Sequence, residues 1–215
     1  KHVAISLNGE PTLYTRLAEY MDLCHQHGMT TMLVTNGTLP KVLEKLDTLP
    51  TQLYVSVDAP NKQVFDDVCR PKWNSGAWEQ FEKTIDLLPS LDTRIVCRHT
   101  LMKGVNMSEN HIREFAAIDR RADPDWIEAK GYVYVGHSRE HLSIDNMPSH
   151  EDILTFSESL APQVDMRILS ESRPSRVALI GNEMIPIPIP EATMHFPEDL
   201  GTAPPVKKLK LADLS

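Results

Sequence analysis

Leu53-Tyr54-Val55-Ser56-Val57, followed by Asp58-Ala59-Pro60, indicates the fold most directly, because a short apolar run passes straight into a polar turn. Runs of this length that are rich in β-branched and aromatic residues predict buried strands. The same pattern predicts four further strands at residues 3–7, 31–35, 94–101 and 126–135. Two later strands are predicted at residues 166–169 and 176–180.

Helical patterns separate the predicted strands. Gly28 is placed to end the first helix, Pro40 to begin the second and Ser149 to begin the fifth. The alternation of strands and helices predicts parallel strands joined by crossover helices, either as a barrel or as a doubly wound sheet. Apolar residues recur at helical spacing within residues 13–24, 42–46, 78–88, 112–122 and 153–160.

Composition indicates a packed globular protein. The chain has 215 residues, 41% of them hydrophobic, with 22 basic and 30 acidic side chains. The formal net charge of -8 argues against general affinity for nucleic acids, although a local basic patch is compatible with it. No apolar run reaches the roughly 18–20 residues that span a bilayer, so no membrane association is predicted.

The three cysteines, Cys24, Cys69 and Cys97, are far apart and odd in number. This usage is typical of reduced thiols, so we expect a cytoplasmic protein. They form neither a CxxC nor a CxxxCxxC motif, and the histidines show no ligand spacing on one element. No metal site is therefore predicted from these residues.

The chain is predicted to divide at about residue 182. Residues 1–182 carry the α/β pattern, and residues 183–215 form a proline-rich C-terminal extension. Ile185-Pro186-Ile187-Pro188-Ile189-Pro190 excludes a regular helix or a central strand and favours extended, polyproline-like chain. We expect a mobile tail, with docking over a neighbour as the alternative.

Polar groups follow the first three predicted parallel strands and lie within the fourth and the fifth. Ligands bind at this carboxyl end in barrels and open α/β sheets. Each group taken alone can be an ordinary turn or a helix cap, but five on one rim predict a site. They are Asn8-Gly9-Glu10, Asn36-Gly37-Thr38, Ser56 with Asp58, Arg98 with His99, and Glu128, Lys130 and Tyr132.

Glu128 and Lys130 alternate within an apolar strand, so both side chains point to one face of the sheet. In a barrel that face is the interior. Burying a carboxylate and an ammonium costs free energy unless they pair or bind a ligand. A structural ion pair between the two is the alternative to a ligand site.

The rim motifs resemble those of a known family. Residues 6–14 (SLNGEPTLY) look like the second-strand signature of radical S-adenosylmethionine (SAM) enzymes, and residues 33–38 (LVTNGT) match their third strand. Narrower motifs resemble archaeal-type tRNA 4-demethylwyosine synthases, and the resemblance runs from about residue 1 to 180. These narrower motifs are residues 54–60 with 68–71, 128–139, 146–151 and 171–176.

The resemblance implies a fold, a reaction and cofactors. The implied fold is a partial parallel (βα)6-type TIM-like barrel, here without its first strand and the cluster loop that follows it. The implied reaction joins two carbons of pyruvate to N1-methylguanosine in tRNA-Phe, through a 5′-deoxyadenosyl radical, and yields tricyclic 4-demethylwyosine. The implied cofactors are SAM and two 4Fe–4S clusters. The partners are tRNA-Phe and pyruvate, and we expect a monomer.

Carried over by position, the motifs imply contacts with SAM. Gly9 and Glu10 would bind the methionine amino group, since a carboxylate attracts it and glycine lets the backbone come close. Arg98 would neutralise a carboxylate of SAM or pyruvate. Residues implied to contact the ribose and carboxylate region are Asn36, Ser56 and Asp58, and those flanking the adenine are Tyr132 and Val133.

Substrate contacts are implied for four further residues. Lys130 would hold pyruvate by charge or as a Schiff base, because a desolvated lysine loses pKa and becomes a nucleophile. Arg139, Arg173 and Arg176 would contact tRNA phosphates, with solvated surface arginines as the alternative.

The sequence departs from the family at the cluster cysteines. The family's CxxxCxxC loop is absent, and the chain opens inside a predicted strand, so we expect a truncated polypeptide that cannot cleave SAM. Three alternatives stay open. They are a radical SAM enzyme with another substrate, a non-catalytic barrel fragment that binds tRNA or a protein, and a metal-free lyase or aldolase using Lys130.

Overall fold

The computed structural model describes residues 1–6, 9–71 and 76–194. Its described strands form one seven-stranded sheet of order β1-β2-β3-β4-β5-β7-β6. The first five strands are parallel, and β7 runs antiparallel to both β5 and β6. The strands are β1 (His2–Ile5), β2 (Thr30–Thr35), β3 (Gln52–Ser56), β4 (Arg94–Leu101), β5 (Trp126–Gly131), β6 (Arg167–Ser172) and β7 (Val177–Gly181).

Helices connect the parallel strands as crossovers. Ser108 and Ser149 begin their helices by accepting hydrogen bonds from backbone N–H groups of the first turn. The helices are α1 (Leu17–Gln26), α2 (Pro40–Glu44), α3 (Lys62–Val68), α4 (Ala77–Leu87), α5 (Glu109–Ala122) and α6 (His150–Leu160). Short 3-10 turns lie at Pro11–Leu13, Leu88–Ser90, Gly136–Glu140, Ile144–Asn146 and Ala161–Val164.

The two faces of the sheet differ in chemistry. One face packs against the helices and forms the main core, with Leu33, Val55 and Ile127 fully buried. The register aligns Ser56 with Arg98 and Arg98 with Glu128, so these polar side chains share the opposite face. Side chains alternate between the two faces along each strand, and the register aligns like residues on neighbouring strands. The same strand pairing therefore places the apolar side chains on one face and the polar side chains on the other.

Most predicted elements are confirmed, and four differ. The first helix begins at Leu17, because Leu13 lies in the preceding 3-10 turn and is exposed. The predicted strand 126–135 ends at Gly131, because the chain turns out of the sheet after the Tyr132 N–H donates to the Leu101 carbonyl. The last two strands form an antiparallel hairpin, so the parallel pattern stops at β5. Helix α3 was not predicted, although Asn61 caps it by accepting from the Val64 N–H.

Residues 183–194 form a strap along the amino-terminal end of the sheet. The Trp126 Nε1–H donates to the Glu183 carbonyl at 2.9 Å, and Arg94 Nη2 donates to the Ile185 carbonyl at 2.8 Å. Further on, the Thr193 and Met194 N–H groups both donate to the Gln26 carbonyl. The expected mobile tail is therefore wrong for these residues, which are docked, and residues 195–215 lie outside the described residues.

Candidate ligand site at the carboxyl ends of the strands

Glu10 is held in place by donors from two segments. Its Oε1 accepts from the Thr12 N–H, the Thr12 hydroxyl and the Thr35 hydroxyl, the last at 2.7 Å. Its Oε2 accepts from the Asn36 N–H at 2.8 Å. Oε2 accepts only this one hydrogen bond from the described residues, so it keeps capacity for a ligand N–H. Gly9 precedes it at φ 78°, a conformation that glycine adopts without strain.

Asn36 contributes to this corner mainly through its backbone. Its side-chain Oδ1 accepts from the N–H and hydroxyl of Thr38, and the residue is exposed. Gly37 follows at φ 70°, where an added Cβ would lie 3.2 Å from Val55 and 3.3 Å from Phe81. The Asn36-Gly37 turn is thus fixed against the core. The predicted Asn8 lies outside the described residues.

Arg98 lies on the polar face of the sheet, where it is already paired. Its Nε donates to Glu128 Oε1 at 2.9 Å, and its guanidinium carbon lies 4.6 Å from the Tyr54 ring centroid. Ser56 is the residue aligned with Arg98 on β3. A ligand carboxylate at Arg98 would therefore share the guanidinium with Glu128, and the predicted alternative pair between Glu128 and Lys130 is not the one formed.

Lys130 lies on the same face, one pleat closer to the carboxyl end. It is aligned with Thr100 and half-buried. Its ammonium makes no hydrogen bond or ion pair with any residue that the structure describes. A half-buried ammonium without a protein partner is available to a ligand anion or carbonyl.

A cavity of about 970 Å³ opens above the ends of β3, β4 and β5. Its walls carry charges of both signs, with Asp58, Asp66 and Glu140 against Lys62 and Arg70. This mixture suits a ligand that itself carries both charges. The remaining lining residues are Val68, Cys69, Pro71, Thr100, Met102, Tyr132, His137, Ser138, His141 and Leu142.

Asp58 has the least satisfied side chain of this cavity. Its Oδ1 atom is buried and accepts no hydrogen bond from the described residues. Burial raises the pKa of the Asp58 carboxyl, against a hydrogen bond from Thr100 and the charges of His99 and Arg98, which lower it. A buried carboxylate oxygen without a donor costs free energy, so this position favours a ligand that brings an O–H or N–H group.

Tyr132 lines the same cavity and Val133 does not. The Tyr132 hydroxyl lies 2.7 Å from Ser138 Oγ and donates to it, because Ser138 Oγ donates its own hydrogen to the Val135 carbonyl. These bonds anchor the loop that follows β5 over the cavity. Val133 is exposed and is not among the residues that line the cavity.

The three predicted tRNA-contacting arginines have different partners, and Arg173 and Arg176 lie on one turn, where the Arg176 N–H donates to the Arg173 carbonyl at 3.1 Å. Arg139 is exposed and stacks over Tyr134, with its guanidinium carbon 5.1 Å from the ring centroid. Arg173 is exposed and pairs with Glu151 at 2.7 Å. Arg176 is half-buried, and its Nη1 donates to the Pro148 carbonyl.

The three cysteines lie in different surroundings. Cys24 packs in α1 against the core, and Cys97 is buried on the helix-facing side of β4, where burial raises the pKa of its thiol. Cys69 lines the cavity. Across residues 1–6, 9–71 and 76–194, no three His, Cys, Asp or Glu side chains are grouped to hold a metal ion. In the same ranges, no helix is long and apolar enough to cross a membrane.

Family models match two consecutive segments of the chain. The model described as the radical SAM superfamily matches residues 1–116, which is more than half of the chain. The chain belongs to the radical SAM superfamily. A second model, described as wyosine base formation, matches residues 121–182. The cavity takes Asp58 and Cys69 from the first segment and Tyr132 and His137 from the second.

Individual relatives agree with both matches. An S-adenosyl-L-methionine-dependent tRNA 4-demethylwyosine synthase of Pyrococcus abyssi is 45% identical over 84% of this chain and 53% of its own length. A solved structure of TYW1 with a lysine–pyruvate adduct bound is 38% identical, with a TM-score of 0.75 over 85% of this chain and 57% of that one. The crystal structure of archaeal TYW1 is 36% identical, with a TM-score of 0.70 over 85% of this chain and 57% of that one.

The chain thus spans about half the length of these relatives. The predicted fold class, a partial parallel radical SAM barrel of the TIM type, is confirmed by these structures and by the five parallel strands. The predicted membership of this family is confirmed as well.

Sequence reasoning missed several parts of the site. Thr12 and Thr35, which orient Glu10, and the cavity wall at Arg70 were not singled out. Arg70 has a φ of 48°, in the left-handed region, although a residue before proline normally adopts an extended conformation. The narrow motif at residues 68–71 was the available signal for this wall.

Proposed function

We propose that this chain provides the SAM-binding and substrate-binding part of a tRNA 4-demethylwyosine synthase. The reaction would condense carbons of pyruvate with N1-methylguanosine in tRNA-Phe. The observation that carries the proposal is the cavity at the ends of β3, β4 and β5, whose walls come from both the radical SAM segment and the wyosine segment.

The residues present fit SAM. The Asp58 carboxylate, with its unpartnered Oδ1, would accept from ribose hydroxyls, and the Tyr132 ring would lie against the adenine. Glu10 would accept from the amino group at Oε2. The family motifs imply that Gly9, Asn36, Ser56 and Val133 would border the ligand as well, although these four residues lie outside the cavity lining. SAM supplies the 5′-deoxyadenosyl radical of this enzyme class when it is reductively cleaved.

The described residues do not fit a 4Fe–4S cluster. Such a cluster needs several cysteine thiolates at one place, and Cys24, Cys69 and Cys97 lie on separate elements. No step of the proposal therefore runs through a cluster held by these residues. We assign them to binding and orienting the SAM and the substrates.

Lys130 is the proposed pyruvate contact. Its ammonium lies on the sheet's polar face beside the Arg98–Glu128 pair, and the carboxyl end of β5 leads from it to Tyr132. As an ammonium it can attract the pyruvate carboxylate. After losing a proton, the neutral amine can instead condense with the ketone, releasing water to form an imine. Arg98 would then orient the carboxylate, sharing its charge between the ligand and Glu128.

Transfer RNA would approach the loop that covers the cavity. Arg139 lies on this loop and donates to the Tyr134 carbonyl. Arg176 lies beside the start of the loop, because its carbonyl accepts from the Gly131 N–H at the end of β5. Arg173, on the same turn as Arg176, would add another phosphate contact. We place this activity in the cytoplasm, with a monomeric chain acting on tRNA.

Binding of SAM tests the proposal directly. Titration calorimetry of the 215-residue chain with SAM should give a measurable affinity, which Asp58→Ala should weaken by about tenfold or more, since one tenfold step is about 1.4 kcal/mol. Asp145→Ala is the matched control, an acidic residue outside the cavity lining. A chain that binds no SAM under reducing, anaerobic conditions would exclude the proposal.

The substrate class is tested with pyruvate and with tRNA. Borohydride reduction with labelled pyruvate should label Lys130 and not Lys103, an exposed lysine on the loop after β4. A chimera that carries residues 1–182 in place of the matching segment of the Pyrococcus abyssi relative should form 4-demethylwyosine on tRNA-Phe. Labelling without SAM binding would indicate a lyase or aldolase instead.

A further inference from the structure

Asn106 lies behind the cavity, on the turn that follows β4, and none of its surface is exposed. Its Nδ2 donates to the Asp58 carbonyl at 3.1 Å and to the Thr100 carbonyl at 2.9 Å. Its Oδ1 accepts from the Met102 N–H at 2.7 Å. One amide group therefore ties three backbone groups of two different segments together.

These bonds stand where the ladder between β3 and β4 ends. The last backbone bond between the two strands joins the Val57 N–H to the Arg98 carbonyl at 2.8 Å. Beyond it β3 leaves the sheet at Asp58, while β4 continues to Leu101 beside β5. The Asn106 amide fills the gap that opens there and satisfies carbonyls that would otherwise be buried without donors.

We propose that Asn106 is a positioning residue of this site, which fixes the Asp58 backbone so that its carboxylate faces the cavity beside Thr100. The inference rests on the proposed SAM site. Asparagine is suited to the task because it presents two N–H donors and one acceptor on one short side chain. Aspartate has the same shape, but it would set a carboxylate oxygen against two carbonyl oxygens.

Two variants test the role of Asn106 by removing different numbers of its hydrogen bonds. Asn106→Ala removes all three bonds, and Asn106→Ser keeps a hydroxyl that can replace one of them. Ser157→Ala is the matched control, because Ser157 is equally buried and donates to the Ile153 carbonyl in α6, away from the cavity. Urea unfolding should show that Asn106→Ala and Ser157→Ala both lower the free energy of unfolding. The SAM affinities of the two variants are then compared under conditions where both are folded.

Affinity for SAM separates a positioning role from a general loss of stability. Asn106→Ala should weaken SAM binding by roughly tenfold, Asn106→Ser should be intermediate, and Ser157→Ala should leave the affinity unchanged. In an Asp58→Ala background, Asn106→Ala should have little further effect, because residues that act through one another are not additive. Equal affinity losses in Asn106→Ala and Ser157→Ala, or additive losses in the double variant, would overturn the inference.

A second measurement needs no ligand. The Asp58 carboxyl carbon, assigned by its loss in Asp58→Asn, is titrated by ¹³C NMR in the full chain. Its pKa should lie above the ordinary value in the parent protein and fall towards that value in Asn106→Ala, with no change in Ser157→Ala. An unchanged Asp58 titration in Asn106→Ala would overturn the positioning role even if SAM did not bind, whereas absence of SAM binding alone would count against the proposed function only.

Discussion

The two ends of one sheet treat their polar groups differently. At the amino-terminal end, the strap of residues 183–194 supplies carbonyl groups to Trp126 and Arg94. At the carboxyl end, Lys130 and the Asp58 Oδ1 atom have no partner within the described part of the chain. Unpaired polar atoms occur at both ends, since Arg94 Nε and Nη1 also lack partners among the described residues. The difference is that the strap lies over the amino-terminal end, whereas the Asp58 Oδ1 atom lines a cavity where a ligand can satisfy it.

The largest effect is expected at the closed end. Trp126→Ala should lower the free energy of unfolding by about 3–5 kcal/mol, because a buried aromatic side chain and its hydrogen bond to Glu183 are both lost. Urea unfolding monitored by circular dichroism measures this change. Tyr134→Ala, on the loop at the open end, should have a much smaller effect, and equal losses at both ends would contradict the comparison.

Asp58→Asn should separate stability from binding at the open end. Removing the charge of a carboxylate whose buried Oδ1 atom has no donor should raise the free energy of unfolding at pH 7 by on the order of 1 kcal/mol. The same change should weaken SAM binding, since the neutral amide is a poorer acceptor for ribose hydroxyls. Thermal unfolding with and without SAM measures both effects, and a destabilised Asp58→Asn would indicate that the carboxylate is structural.

The pH dependence of stability sharpens this point. The folded pKa of Asp58 is raised by burial, so the folded chain binds this proton more tightly than the unfolded chain. Stability from this group is therefore greatest at low pH and declines as pH rises from the unfolded towards the folded pKa. The difference in unfolding free energy between the parent and Asp58→Asn should grow over that interval, and a constant difference would exclude the raised pKa.

A small effect is expected for Arg94→Met at the closed end. The change removes the bond to the Ile185 carbonyl and the stack on Trp126, where the guanidinium carbon lies 4.4 Å from the ring centroid. It also removes two buried nitrogens, Nε and Nη1, that have no partner among the described residues. These terms offset one another, so urea unfolding should show a change below about 1 kcal/mol.

The smallest effect on stability is expected for Arg173→Ala. Its ion pair with Glu151 is exposed to solvent on both sides, so urea unfolding should show no measurable change. If Arg173 contacts tRNA phosphates, a gel shift should nevertheless show weaker tRNA binding with a shallower salt dependence. Loss of stability without loss of tRNA binding would place Arg173 with the structural groups instead.

Much of the fold could be predicted from local patterns. The apolar runs predicted the five parallel strands, and the helical stripes predicted five of the six α-helices. These patterns are visible in the sequence because the buried face of a helix or strand needs apolar residues at the spacing of that element. Helix α3 was missed, since its apolar stripe is only one turn long. The strand beyond Gly131 was overextended, because alternating Tyr and Val residues look the same in a strand and in an extended loop.

The site was predicted as a set of positions and not as a set of contacts. The sequence by itself determined that polar residues follow or lie within each parallel strand, and that Glu128 and Lys130 share a face. Tertiary structure decided that Glu128 pairs with Arg98, that Thr35 holds Glu10, and that the proline-rich strap docks. These partners are far apart in the sequence and meet through the strand register and through the docking of residues 183–194 on the sheet. A local hydrophobic pattern does not specify which distant donor will bind which acceptor.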